Sequence, residues 1–178
     1  MTSLPQTILE TDSGPIVITW IDCRDRKEMD QYQPCTQVYG ICFDDRGGIL
    51  VIDEKGDGAW KIVGGKPQAG ETPEQALARE LMEEANVELQ QMLPVGVQKV
   101  EEFFPDKGQP KVYYQWRFAG LVARLLPRTP DPDTGRIYPR KFVPVSEINA
   151  VVRWGETGKA MFAAAVDCLE RKIFRKSP

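Results

Sequence analysis

The chain of 178 residues contains no histidine. That absence excludes Ser-His and Cys-His catalytic dyads. Its four cysteines, Cys23, Cys35, Cys42 and Cys168, form no CxxC pair, which removes the usual zinc sites as well. They read instead as buried free thiols. No run of 18 or more apolar residues occurs, and "MTSLPQTILE" lacks a basic segment followed by an apolar one, so the chain is expected in the cytoplasm. Positive charge is also short. Lys and Arg number 23 against 26 Asp and Glu, so no basic field argues for broad nucleic-acid binding. Any acid–base chemistry must therefore use carboxylates, lysine, tyrosine or metal-bound water.

What remains is ordinary for one globular domain, with 42% hydrophobic and 28% charged residues. Residues 1 to 35 combine "PIVITWI" with the polar "DCRDRKEMDQYQP" and read as an N-terminal strand or hairpin followed by a connector. The main domain is expected over residues 36 to 178. "TQVYGICF" and "GILVID", separated by "DDRGG", read as a hairpin apolar on both faces, as in a sheet covered by helices on both sides. "VQKVEEFF" and the long "KVYYQWRFAGLVARLL" follow as strands, then a proline-rich loop and the short strand "KFVPV". A helical turn is expected from "SEI". A last helix places Phe162, Val166, Leu169 and Ile173 along one core-facing stripe.

The dense signal lies at "GKPQAGETPEQALARELMEEANV". Thr72 and Gln75 form a capping box and Pro73 suits the first helical position, so the pattern predicts a helix over 73–85. Asn86 stands where a left-handed exit is needed, a position where glycine is expected to serve slightly better. Glu80, Glu83 and Glu84 project from one face of this helix, with Leu77, Leu81 and Ala85 opposite. Like charges at that spacing repel, and Arg79 is the one cation within the helix. A solvated face usually mixes signs. Three carboxylates on one patch suit a hard divalent cation, whose ligands are oxygens.

These residues resemble the Nudix box, G-x5-E-x7-R-E-U-x-E-E-x-G-U with U aliphatic. Gly65, Glu71, Arg79, Glu80, Leu81, Glu83, Glu84 and Val87 fall in register, and Asn86 replaces the final glycine. "KIVGG" stands where many members carry a Leu-Pro-Gly-Gly-like run. The resemblance implies an α/β fold, an α/β/α sandwich around a mixed β-sheet, with the box forming loop, helix and loop. It implies Mg²⁺- or Mn²⁺-dependent hydrolysis of a nucleoside diphosphate linked to another moiety. The substrate could be of the ADP-ribose or nucleotide-sugar kind, or a nucleoside triphosphate. The alternative is a nucleotide-sensing domain of the same fold without turnover.

Carried over, Glu80, Glu83 and Glu84 are metal ligands with the Gly64 carbonyl, and Glu71 with Arg79 supports them. The base is a box glutamate, Glu83 or Glu84, or a carboxylate from elsewhere. Glu101 and Glu102 are candidates for an extra ligand or base, and Phe104 and Tyr114, with Tyr113 and Trp116, for stacking on a nucleobase. The expected partner is a small-molecule nucleotide. A homodimer is left open, and neither a nucleic acid nor a membrane is expected.

Overall fold

The apolar runs become the centre of one sheet in a computed structural model that describes residues 3–174. In chain order the elements are β1 (Gln6–Leu9), β2 (Ile16–Asp22), α1 (Arg26–Met29), β3 (Cys35–Phe43), β4 (Gly48–Ile52), β5 (Val63–Gly65), α2 (Pro73–Ala85), β6 (Val87–Leu89), β7 (Leu93–Glu102), β8 (Lys111–Leu125), β9 (Arg140–Pro144), α3 (Ile148–Val152) and α4 (Gly155–Phe174). The sheet runs β1-β2-β7-β8-β3-β4-β9, with β5 added to β3 and β6 to β8. It is mixed because β3 and β8 are parallel while the other pairs are antiparallel. The short pieces α1, β5 and β6 lack the length that makes periodicity readable, and the sequence pattern did not announce them.

Side chains alternate across β3, so Ile41 and Phe43 face one side, Val38 and Cys42 the other. The first set packs on Ile148 of α3 and on Met161, Phe162, Ala165 and Leu169 of α4. The second packs on Ala76, Leu77, Leu81 and Ala85 of α2. Both faces of β3 and β4 are therefore apolar, as a sheet between helical layers requires. Phe162 and Leu169 are buried and Val166 packs against the same cluster. The Ile173 side chain, expected on this stripe, lies outside those described. The four cysteines are free thiols, Cys23 and Cys42 buried and Cys35 and Cys168 partly so.

The expected hairpin forms between β3 and β4, where the Asp44 carboxylate accepts from the Gly48 and Arg46 backbone N–H groups at 2.6 and 3.0 Å. The N-terminal residues also form a hairpin, β1 with β2, which continues the sheet through β2–β7 pairing. No described helix is long and apolar enough to cross a membrane.

Candidate active site

The helix α2 begins and ends where its sequence dictates. Thr72 Oγ1 accepts from the Gln75 N–H at 3.2 Å while Gln75 Oε1 accepts from the Thr72 N–H at 2.9 Å, completing the capping box. Asn86 closes the helix at φ 50°, in the left-handed region. Its side chain does more than tolerate that conformation. Nδ2 donates to the Met82 carbonyl at 2.9 Å and to Thr129 Oγ1 at 2.7 Å, and Oδ1 accepts from the Thr129 N–H at 2.9 Å. Asn86 thus pins the proline-rich loop to the helix end, and the expectation that glycine would serve slightly better there is corrected.

On the acidic face one guanidinium gathers three carboxylates. Arg79 donates to Glu71 at 2.8 and 3.1 Å, to Glu80 at 2.9 Å and to Glu83 at 2.8 Å, and its remaining contact is the Lys66 carbonyl at 3.1 Å. Hydrogen bonds from Arg79 hold the Glu71 carboxyl below the ordinary carboxylate value. Burial pushes Glu80 the other way, despite Arg79. Gly65 is part of this arrangement, since a Cβ there would overlap the Glu80 carboxylate. The glycines of "KIVGG" therefore make room within strand β5 rather than forming a turn.

Glu84 lies apart from that knot. It is 9% exposed, accepts from the Gly64 N–H at 3.1 Å and meets Lys61 Nζ at 3.4 Å. Burial pushes its carboxyl up to about 7. Lys61 also pairs with Glu54 at 2.5 Å. Burial opposes the charge on Lys61, but Glu84 and Glu54 together carry its pKa above the usual value. Among the described residues, no three acidic or cysteine side chains converge as a metal site. Glu80 and Glu83 point to Arg79, and Glu84 points to Gly64 and Lys61. The donor set is nonetheless all oxygen, which suits a hard divalent cation.

The other candidates spread along the β7–β8 hairpin. Glu101 pairs with Lys99 at 2.7 Å. Glu102 accepts from Tyr113 Oη at 2.7 Å, which with Lys111 holds its carboxyl below the ordinary value. Phe104 lies under Lys107 Nζ at 4.9 Å. Tyr114 packs on Tyr32 with ring centroids 5.4 Å apart, and Trp116 is fully buried in the α2-side core. Tyr113 alone of these aromatics lines a cavity beside the box. That cavity, about 470 Å³, is walled by Lys66 and Pro67 of the box loop, Lys111, Tyr113 and Gln115 of β8, and the start of β3.

A second cavity, about 190 Å³, shares Gln115 with the first and was not legible in the sequence. Its floor is the sheet face on which Tyr39 and Arg117 are cross-strand partners. Its rim is Trp154, which meets the Tyr39 ring edge to face at 6.0 Å. Tyr39 is also the register partner of Gly64, although no residue of the box loop or of α2 lines this cavity. Arg117 is 1% exposed and stacks on Tyr39 at 4.3 Å. A strand of apolar alternation containing one arginine ordinarily reads as apolar in, arginine out. The signal that could have corrected this is that the residues sharing Arg117's face by alternation, Tyr113, Gln115, Ala119 and Leu121, carry no charge, as on a covered face.

A family model described as the NUDIX domain matches residues 34–164. Among solved structures, the chain is similar to the Bacillus subtilis pyrophosphohydrolase BsRppH at TM-score 0.55 and 18% identity, covering 76% of each chain. A NUDIX hydrolase from Nitrosomonas europaea gives TM-score 0.52 and 22% identity, covering 81% of this chain and 91% of that one. The MutT protein from Bacillus halodurans gives 0.51 and 15%, covering 72% and 80%. At these identities the likeness establishes the shared mixed α/β fold.

Proposed function

The chain belongs to the NUDIX domain family, and from that premise we propose that it hydrolyses a phosphorus anhydride in a nucleoside diphosphate linked to another moiety. The observation that carries this reading is the carboxylate knot of Glu71, Glu80 and Glu83 on Arg79, with Glu84 buried one turn on against Gly64. A purely solvated face would not bury Glu84 or need the bare Gly65 to seat Glu80. Neighbours in the fold include a pyrophosphohydrolase, which agrees with the reading. Nucleoside triphosphates, nucleotide sugars and ADP-ribose-like compounds are all within the substrate class.

Family members generally use divalent metal ions. In this chain Glu80, Glu83, Glu84 and the Gly64 carbonyl are the residues that would hold Mg²⁺ or Mn²⁺. Such an ion neutralises phosphate charge and lowers the pKa of water. The protein's own part is positional. Arg79 fixes Glu80 and Glu83 by hydrogen bonds and uses Glu71 as its brace. The Gly64 N–H and Lys61 fix Glu84. A proton leaving the attacking water goes to a carboxylate oxygen of Glu83 or Glu84. Lys66 and Lys111, which both line the cavity of about 470 Å³, offer positive charge to the substrate phosphates.

Release of phosphate, pyrophosphate or nucleoside monophosphate from a nucleotide panel, with Mg²⁺ or Mn²⁺ against EDTA, tests this reading. Metal-dependent turnover of at least one compound is expected. Binding without turnover across the whole panel would instead mark a nucleotide sensor.

A further inference from the structure

A third cavity, about 730 Å³, opens where the β4–β5 link, β9 and the end of α3 meet. Four cations line it, Lys55, Lys61, Lys141 and Arg153, against one carboxylate, Glu54. Lys61 is the paired one, held between Glu54 at 2.5 Å and Glu84 at 3.4 Å. Lys55, Lys141 and Arg153 pair with no carboxylate among the described residues, although the chain carries more acids than bases. The Lys141 ammonium sits over the Trp60 ring, 4.1 Å from its centroid. Arg153 stands in the left-handed region at φ 56°, at a steric cost for any residue but glycine. Only its Nε is engaged, on the Ala150 carbonyl at 3.0 Å. Asp53 holds the β4–β5 link, its carboxylate accepting from the Gly56 and Gly58 N–H groups at 2.8 and 2.9 Å. A concavity lined by one sign of charge focuses its field and gathers counter-ions, so this one asks for an anion.

We propose that this cavity is a subsite for a chain of phosphates, with Lys55, Lys141 and Arg153 as its contacts. The inference rests on the hydrolase reading above and narrows its substrates to those carrying phosphate beyond the anhydride that is cut. Lys61 joins the two places, since it lines the cavity and also touches Glu84 of the acidic helix. Trp60 and Lys61 lead directly into β5, whose Gly64 N–H fixes Glu84 as well. An anion in the cavity is therefore one side chain away from the carboxylates of the box. Phosphate suits the donors present. A lysine ammonium meets its oxygens as a point charge, and an arginine guanidinium meets them in pairs. The volume is that of a small-molecule site. A neutral sugar in the same place would leave Lys55, Lys141 and Arg153 unanswered, so the cavity ranks a nucleoside polyphosphate above a nucleotide sugar.

Calorimetric titration of the full chain with inorganic tripolyphosphate, in EDTA, tests the subsite apart from any turnover. The wild type is expected to bind. Lys141→Met keeps an apolar stem on Trp60, and Arg153→Gly keeps the left-handed turn. Each is expected to weaken binding about tenfold, the loss of one charge-assisted hydrogen bond. Lys27→Ala, on α1 and outside the cavity, removes the same charge and is expected to leave binding unchanged. Should either cavity variant fail to melt cooperatively, Lys55→Met replaces it. No binding by wild type overturns the assignment. So does equal binding by the cavity variants, or an equal loss in the Lys27 control. A loss confined to Lys66→Met and Lys111→Met overturns it too, because the anion then belongs to the cavity beside the box. The two readings fail separately. Tripolyphosphate binding that depends on Lys141 and Arg153, without anhydride hydrolysis, keeps this subsite and removes the enzyme. Hydrolysis with binding indifferent to both residues does the reverse.

Discussion

Arg79 and Arg117 are the same side chain in opposite electrostatic settings. Arg79, partly exposed on α2, meets three carboxylates, and their hydrogen bonds raise its pKa well above the ordinary arginine value. Arg117, at the centre of the sheet, meets none, and burial lowers its pKa to about 10, so it remains charged at neutral pH. The first guanidinium relieves an excess of negative charge and holds its carboxylates in place. The second creates an excess of donors that the protein itself leaves unmatched. Arg79 is thus compensated by carboxylates, whereas Arg117 is met only by neutral amide and carbonyl oxygens, with Nε left over.

The largest expected effect falls on the acidic side. Glu80→Gln and Glu84→Gln should each lower kcat/KM by about a hundredfold or more, as loss of a preorganised charged group does. Both should keep the folded far-ultraviolet circular dichroism of the wild type. In the wild type, Mn²⁺ at about a hundredfold above its dissociation constant should add about 2.7 kcal/mol. For a domain of this size that is a melting shift of roughly 5–10 °C. The double variant should lose the shift. Near-normal turnover in either single variant would remove these residues from the site.

The arginines themselves give the next test. Arg79→Met leaves three carboxylates without their cation and should cost about 2–3 kcal/mol, somewhat less than the roughly 3–5 of a fully buried pair. Arg117→Met removes a desolvated charge and should change stability by no more than about 1 kcal/mol, the relief offsetting the acceptors it strands. Thermal melts of both variants in EDTA check the pair. Equal losses would mean that Arg117 is a structural cation like Arg79.

A smaller effect is expected at the end of α2. Asn86→Gly removes three side-chain hydrogen bonds and should destabilise by about 1–2 kcal/mol, after a gain of a few tenths from the easier left-handed conformation. A melting temperature at or above wild type would show that the Thr129 bridge contributes nothing.

The smallest is a pH effect on the β7–β8 wall. Tyr113 and Lys111 lower the folded pKa of Glu102 below its ordinary 4.5. A carboxylate lowered in this way stabilises the fold above its unfolded pKa, and the contribution disappears as pH falls through the folded value. Glu102→Gln should therefore flatten the stability curve below about pH 4.5 and leave neutral stability within about 1 kcal/mol. Parallel denaturant titrations at pH 3.5 and 7 measure the difference.

Local rules were enough for part of this protein. Thr72, Pro73 and Gln75 dictate where α2 starts, Asn86 where it stops, and the helical period puts Glu80, Glu83 and Glu84 on one face, because each follows from bonds within a few residues. The family is likewise written in the run from Gly65 to Val87. The destination of each carboxylate was not local. Glu84 faces Lys61, 23 positions away, because β5 is laid against β3 and α2 against both. The Asn86–Thr129 bridge spans 43 positions. Arg117 meets Tyr39 only because β3 and β8, far apart in sequence, pair in parallel, and Trp154 covers them from the link between α3 and α4. Periodicity assigns a side chain to a face, but only packing decides whether that face meets water, a carboxylate or an empty cavity. The acidic face was thus set by the sequence itself, and the donor-lined cavity by the tertiary structure.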